Sequence, residues 1–504
     1  MKNFNFILVF LLVYCFTSCR DDFEFETSSG SELTFSKDTV YLDTIFSNIG
    51  SSTYNLKVYN KSNKDLKIPS IKLAKGDASN FRLMVDGISG KSFENVELLA
   101  KDSLFIFVET TVDIKEQTNE KDFLYTDEIL FQSGNQKQKV DLVTLVKDAV
   151  FLYPQKFQDG SYESLNFGED KIYGFFLDDN DPTNGNELEW TDNKPYVIYG
   201  YAAVAPNEIL KINEGAEVHF HKNSGLVAFS NATIQAKGTL NEPIIFQGDR
   251  LEPSYENTPG QWDRIWLSVD SKGSFENVQI KNAVQGLFIN KNAGTVTLKN
   301  VQTYNCENYG FFFAAANVKG ENLVTNNCGN AGLKISFGGT YDFTHCTFAN
   351  YWSRQNHTAV IMDNDNGTTP FTLNATFKNS IIYGNSGESL ILNPGAETVN
   401  FNFKFQNCLI KFFNSFNRYP NTFPYVFTDV SNYENTNIAK NQIEHSPYFL
   451  NTQKNELMIT DKATSLINKG NHTFSQQVPL DLLGKNRVTA PDLGAYQHVS
   501  SSID

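Results

Sequence analysis

Along most of the chain, apolar and polar residues alternate in short runs. The runs end at Gly, Asn or Pro, a period-two pattern that predicts strands and turns. Between Phe275 and about Ile410 the pattern condenses into a recurring phrase: Phe275-Glu-Asn277-Val278, Leu298-Lys-Asn300-Val301 and Gly320-Glu-Asn322-Leu323. It returns as Phe343-Thr-His345-Cys346, Phe377-Lys-Asn379-Ser380 and Phe405-Gln-Asn407-Cys408. From position 277 to 300, 322 and 345 the steps are 23, 22 and 23, and a second column follows at Asn282, Asn305, Asn327 and Asn350. A fixed period of this length means stacked units that bury a continuous core together. Equivalent positions would stack at about 4.8 Å, the strand spacing. Val278, Val301 and Leu323 then form an internal aliphatic column. The third-position Asn residues form an amide ladder, because Asn accepts left-handed bends and both donates and accepts. His345 stands in that Asn column, and Phe311, Phe312 and Phe313 read as core or outer-face packing.

The later steps lengthen to 34 (345 to 379) and 28 (379 to 407). Insertions in stacked repeats leave from one face as loops. After Asn417 the repeat fades into Tyr419-Pro and Phe423-Pro, and Pro breaks strands. Nearer the N-terminus, Thr39 to Leu42, Tyr54 to Tyr59, Leu104 to Val108 and Glu128 to Phe131 alternate between turn signals such as Asp86-Gly87. About seven strands here suit a two-sheet sandwich.

Composition agrees: Phe (42) and Tyr (22) are abundant while Met (4) is scarce, which favours strands over helices. With 504 residues the chain has room for two or three domains. A net charge of −15 argues against nucleic acid or an anionic surface as the main partner. Lys2, the short apolar run from Phe4 to Val13, and Thr17-Ser18-Cys19 read as an export signal too short to span a bilayer comfortably. Of the internal cysteines, Cys306 and Cys328 hold equivalent places in adjacent repeats, and Cys346 and Cys408 share another column. They read as buried thiols; oxidation of the first pair is the alternative. No spacing suits zinc.

Two resemblances follow from these residues. Cys19 resembles the lipidated cysteine of bacterial lipoproteins, with Phe16 in place of the usual Leu. Arg20-Asp21-Asp22 behind it resembles a surface-export tag, or is a solvated tether. The order Glu-Gly-Ala, His-Phe-His, Lys-Gly-Thr-Leu, Pro-Ile-Ile-Phe, Pro-Gly-Gln-Trp and Phe-Thr-His-Cys, over about residues 190 to 410, resembles Gram-negative lipoproteins with a right-handed parallel β-helix. The segment before it is similar to immunoglobulin-like modules of the abnormal-spindle/Hydin type, and residues 446–497 resemble the closing segment of β-helix surface proteins, with Gln497 in place of its terminal Glu. The expected fold is therefore all-β, an immunoglobulin-like sandwich followed by a right-handed parallel β-helix and a C-terminal cap. The expected segments are a signal peptide (1–18), a flexible tether (19–33), the sandwich (34–148), a connector (149–195), the β-helix (196–418) and a capping segment (419–504), in which Arg487 and Asp492 are expected to pair.

The family brings no catalytic residues. The expected role is display at the outer membrane, anchored through Cys19 and surface-exposed on the export-tag reading, with non-catalytic binding of glycan or protein. The alternative is a polysaccharide-active enzyme, a lyase or glycoside hydrolase, since β-helices host both; hydrolysis needs two carboxylates across the bond. Its candidates are Asp363 and Asp365 with Arg354 or His357 in the long inserted loop; Asp-Asn-Asp-Asn-Gly is equally a turn composition. No cofactor is required. Asp178, Asn180 and Glu189 fit places one, three and twelve of a calcium loop, but Thr183 stands where Gly belongs; the other reading is a solvated turn.

Overall fold

The computed structural model describes residues 26–27, 33–117, 122–133, 136–354, 357–365, 369, 371–395, 401–413, 431–440 and 445–500. Cys19 and the signal segment lie outside the described residues. The protein is all-β, with large multi-stranded sheets, and divides into two compact units, residues 1–148 and 149–504.

The first unit holds two sheets. One is built on Leu66–Leu73, Asp122–Ser133 and Gln136–Lys147, the other on Tyr54–Tyr59, Ser103–Thr110 and Phe81–Val85. Period-two alternation gives each strand one apolar face, and both faces join a single core that includes Leu56, Val58, Ile68, Ile71, Ile106, Val108, Ile129 and Phe131. Asp86 and Gly87, both at positive φ (50° and 76°), make the tight turn between Phe81–Val85 and Ile88–Gly90. Glu26–Thr27, inside the segment expected to be a free tether, pairs in parallel with Leu66 and Lys67.

In the second unit the strands form three ladders, nearly all parallel. The first runs from Tyr196–Ile198 through Glu217–Phe220 and Ile244–Gly248 to Ile381–Gly384, Leu409–Lys411 and Asn437–Ala439. The second runs from Tyr201–Val204 through Gly225–Ala228 and Ile265–Leu267 to Thr358–Asp363 and Leu390–Asn393. The third runs from Ile209–Ile212 through Thr233–Lys237 to Leu373–Lys378, Phe401–Gln406 and Tyr433–Glu434. Side chains from all three meet in one core, including Val218, Leu226, Ile234, Phe275, Leu287 and Val301. The Phe of the recurring phrase lies in that core. Phe343 to Phe377 to Phe405 to Tyr433 stack at ring separations of 5.1, 4.9 and 5.5 Å. Where the column reads Gly320, an added Cβ would sit 2.5 Å from Leu323 and 2.7 Å from Phe343. The glycine makes room for the neighbouring ring.

Asn277 is the corner. Lys272–Lys281 is one strand that pairs in the third ladder before Asn277 and in the first ladder after it. The bend falls on Asn277 at φ 52°, and Asn300, Asn322, His345, Asn379 and Asn407 repeat it at 55°, 53°, 55°, 48° and 51°. Left-handed backbone is costly for most L-residues and mildest for Gly and Asn, so the column is set by conformation first. Asn300 Nδ2 donates to Asn277 Oδ1 and Asn322 Nδ2 to Asn300 Oδ1, both at 2.8 Å. The second column repeats the bend at Asn282, Asn305 and Asn327 and is likewise linked, at 3.3 and 2.7 Å. Asn350 leaves that pattern, its amide holding the Cys328 backbone and Thr358 O.

Four expectations need correction. The connector is not separate: Val150–Leu152, Gly174 to Phe176 and Glu189–Trp190 pair with Tyr196–Ile198, Tyr201 to Ala203 and Lys211 to Ile212. A hairpin (Ser164–Phe167 with Asp170–Phe176) and the 178–188 loop interrupt it and hide the period. Nor does the repeat end near 418, because Tyr433-Glu-Asn435 is a further copy, with Asn435 at φ 48°. Residues 445–500 do not sit only at an end. They lie along the side of the ladders, contacting Asn305, Asn322, Asn326, His345, Thr347 and Asn379 in successive repeats. They cover Tyr304, Val324, Ala349, Ile381 and Tyr383, apolar side chains outside the main core. Residues 419–430 and 441–444 of that segment are outside the described residues. Finally, Arg487 does not pair directly with Asp492. Its guanidinium donates to Asn322 Oδ1 (2.9 Å) and to the carbonyls of Gly494, Leu480 and Ala495. Asp492 instead accepts from Asn468 N, His498 N and the His498 ring. Asn322 Oδ1 is the free end of the amide ladder, so the fully buried Arg487 ends it.

Candidate functional site

The middle residue of the recurring phrase points away from the core, since its neighbours on either side are the buried Phe and the corner Asn. Register places Lys237, Glu276, Lys299 and Glu321 side by side on four successive strands of the third ladder. Lys299 Nζ lies 2.7 Å from Glu276 and Lys319 Nζ 2.8 Å from Glu321. The Glu321 carboxylate, as hydrogen-bond partner, raises the Lys319 ammonium above its ordinary range. Further along the same face Lys378 binds Asp342 at 2.7 Å and Lys404 reaches Glu434 at 3.2 Å. Exposed pairs of this kind add about 0–1 kcal/mol each to stability. They leave a face dense in donors and acceptors with little net charge.

This face is also the floor of a groove. Gln477 to Asp481 of the C-terminal segment form one wall, Gly238 to Leu240 line it with the column above, and the space is about 460 Å³. It runs on into a second hollow of about 320 Å³ beside Lys211, Gln235, Ser274 and Thr297. Leu240 and Leu480 expose roughly half their surface along the rim, at 46% and 47%. The wall is held by the Asn column itself: Asn322 Nδ2 donates to Leu480 O. Such a groove can hydrogen-bond an extended polar ligand and pack apolar edges against its rim. Sequence reading passed over it. The signal was present, since the position before the Asn reads Glu, Lys, Glu in the first three copies, a charge of alternating sign beside an unchanged Asn.

The candidate residues of the long inserted loop are each engaged locally. Asp363 is bound by Lys334 Nζ and accepts from Ser336 Oγ at 3.0 Å. Arg354 lies over the Trp352 ring at 5.9 Å, and a His357 ring nitrogen contacts Asn385 Oδ1. Asp365 packs beneath Gly395, where an added Cβ would fall 2.6 Å from its Oδ2. Asp363, Arg354 and His357 thus take different partners. In the acidic loop, Asp178 accepts from Asn180 N and Asp181 from Thr183 and Asn184 N, the hydrogen bonds of Asx turns. Glu189 sits in the third ladder opposite Lys211 and accepts from Asn213. Glu187, not Glu189, turns back onto the loop, and burial raises its carboxyl pKa. Among the described residues no group of three or more His, Cys, Asp or Glu is placed to hold a metal ion.

His345 and the cysteines are interior. His345 contacts Gly494 O through Nδ1 (3.1 Å) and Ser475 Oγ and Asn379 Nδ2 through Nε2 (2.9 and 3.0 Å). Burial, then the nearby Arg487 charge, hold its imidazole well below the usual range, so it is neutral. Cys306 and Cys328 are paired in register, and all four described cysteines are free and buried. Of the three consecutive Phe residues, Phe311 and Phe313 are core, while Phe312 stacks outside on Phe288 at 4.9 Å.

No family model matches the chain and no curated protein matches it. Among solved structures, it is similar to the ASH/PapD-like domain 7 of human CEP192 at 11% identity, covering 23% of this chain and 85% of that one, TM-score 0.16. It is also similar to the Vibrio cholerae VesB protease (14% identity, 24% of this chain and 33% of that one, TM-score 0.17). A family 123 glycoside hydrolase from Clostridium perfringens matches at 8% identity over 24% of this chain and 30% of that one, TM-score 0.17. Likenesses this slight carry no functional argument.

Proposed function

We propose that this is a lipid-anchored outer-membrane protein, immunoglobulin-like in its first unit, whose second unit is a right-handed parallel β-helix that binds a glycan without cleaving it. The three parallel ladders around one core, bent at left-handed Asn corners, support the β-helix reading. The observation that carries the binding role is the groove over Lys237, Glu276, Lys299 and Glu321, whose charges are mutually compensated. Such a floor suits an uncharged ligand rich in hydroxyls, because each Lys donates and each Glu accepts while their net field is small.

The test is glycan-array binding by the intact protein, followed by titration of any positive glycan against Lys299→Ala and Glu276→Gln. Each substitution removes a charged hydrogen-bonding partner and should weaken binding about tenfold or more. Incubation with a broad polysaccharide panel, with and without calcium, should yield no cleavage. Released oligosaccharide would replace the binding reading with a polysaccharide-active one. Cys19→Ala should shift the protein from the membrane to the soluble fraction; unchanged fractionation would refute the anchor.

A further inference from the structure

We propose that the outer face of the Tyr54–Tyr59/Ser103–Thr110/Phe81–Val85 sheet in the first unit docks on an anionic lipid bilayer. Phe105 and Phe107 expose 45% and 40% of their surface on that face, with rings stacked at 6.2 Å. Met84 pairs opposite Phe107, and Ile88, on the edge strand, is 66% exposed. Exposed aromatic and aliphatic side chains gathered on one face of a soluble sheet mark an interaction surface.

Three observations single out lipid as the occupant. The first is reach. Glu26 is paired to Leu66, and six residues separate it from Cys19, so the seven steps between them span no more than ~25 Å when fully extended. The second is position. Leu66 follows Tyr59 across the 60–65 loop, and Tyr59 pairs with Ser103, two residues before Phe105. The tether therefore joins the unit at the end where the aromatic face begins. The exposed Leu124 and its partner Leu145 lie at the other end, beyond the Leu73 to Ile129 pairing. The third is charge. Lys57 sits over the Phe105 and Tyr59 rings at 4.9 and 5.4 Å, and Lys61, Lys64 and Lys101 are exposed around the same end, against Asp65 and Asp102. Both of those carboxylates are engaged by backbone N–H groups, of Ala100 and Ser103. The whole chain is acidic, and so is the tether with Asp21, Asp22, Glu24 and Glu26, but on the loops at this end three lysines and the nearby Lys57 face two aspartates. A lysine ammonium over aromatic rings, with three further exposed lysines around them, is suited to an interface between hydrocarbon and phosphate.

The proximity argument rests on the lipid anchor at Cys19, so the experiment separates the two. The full chain carrying Cys19→Ala has no site for acylation. It should still co-sediment with phosphatidylglycerol/phosphatidylethanolamine vesicles, weaken as salt is raised, and bind pure phosphatidylcholine vesicles poorly. Adding Phe105→Ser and Phe107→Ser should lower the partition at least about tenfold, since each lost ring gives up buried apolar area. Unchanged thermal unfolding would show that the fold is intact. A Cys19→Ala chain that stays in the supernatant, or one whose binding ignores the two serines, would overturn the docking surface while leaving the anchor untouched. Concentration-dependent dimerisation abolished by the same serines would also overturn it, making a second copy the occupant. Failure of the anchor alone would appear as an unacylated mass for the native protein.

Discussion

His345→Asn is the substitution that most sharply separates conformation from chemistry in the corner column. The position requires φ near 55°, which Asn accepts, so the backbone need not move. What changes is titration. Gly494 O can only accept, so Nδ1 carries the proton, and Nε2 faces the Asn379 amide and the Ser475 hydroxyl. Burial away from water, then the Arg487 charge, hold the folded pKa well below 6.5, and a second proton on Nε2 would also confront the Asn379 amide. The unfolded chain takes that proton near pH 6.5 and the folded one does not. Stability from His345 is thus fully present above pH 6.5 and is lost as pH falls toward the depressed folded value. The slope approaches about 1.4 kcal/mol per pH unit, or ~2 kcal/mol between pH 7.5 and 5. All four Trp residues (190, 262, 266 and 352) lie in the second unit, so their fluorescence during urea unfolding reports on it alone. His345→Asn should remove ~2 kcal/mol of acid sensitivity relative to the native chain over that interval. Parallel pH profiles for the two proteins would show that the imidazole is protonated in the folded state, and the argument would fail.

Arg487→Met should cost ~3–5 kcal/mol in the same urea assay, because the buried acceptors Asn322 Oδ1 and three carbonyls lose their donor. It should also open the C-terminal segment to limited proteolysis near Leu480; a segment as resistant as before would mean that Arg487 is not its anchor. Asn300→Ala removes two ladder hydrogen bonds at a left-handed residue and should cost about 2–4 kcal/mol, whereas Asn300→Gly should recover roughly 1 kcal/mol of that, as measured by urea midpoints. Equal losses would refute a conformational share. Burial raises the Cys346 and Cys408 thiols, the latter to about 12, and Cys306 and Cys328 are equally enclosed. All four should resist a thiol-directed reagent at pH 8 until urea unfolds the second unit; rapid labelling of the native protein would contradict that enclosure.

The all-β character and the strand-and-corner repeat were legible in the sequence because they depend on positions that recur. A Phe that must be buried and an Asn that must bend leave the same mark each time. Harder to see was the copy beyond the prolines at 420 and 424, Tyr433-Glu-Asn435, 28 residues after Asn407. Gly174 to Phe176 and Glu189–Trp190 were obscured by a hairpin and an acidic loop inserted between them. Of the candidate site residues, Asp363 drew attention by its composition, yet its partner Lys334 lies in the preceding copy, 29 residues away, a distance that spacing rules for local motifs do not cover. The groove was missed for the opposite reason. Its residues fill the polar slot of the phrase, and a lone charged residue reads as solvent exposure until the register sets Lys237, Glu276, Lys299 and Glu321 side by side.

The departures within the corner column have a common cause. From Asn277 to Asn322 each amide serves its neighbour, and the ladder is self-sufficient. From Asn322 onward the column turns to a non-repeating partner: Asn322 takes Arg487 and Leu480, His345 takes Gly494 and Ser475, and Asn379 takes Asn471 and the Gly494 N–H. A repeat can satisfy only a partner that repeats with it. Where a segment without the period lies alongside, each corner must be fitted singly, and a ring nitrogen pair replaces an amide because it reaches two acceptor and donor groups at a different spacing. The break in the column therefore marks the docking line of residues 471–496, and that line fixes the wall of the groove at Gln477 to Asp481. If so, loosening the corner contacts should weaken ligand binding without touching a groove residue. Ser475→Ala, which removes a hydrogen bond to His345 and leaves the floor of Lys and Glu intact, is the variant in which that coupling would be read.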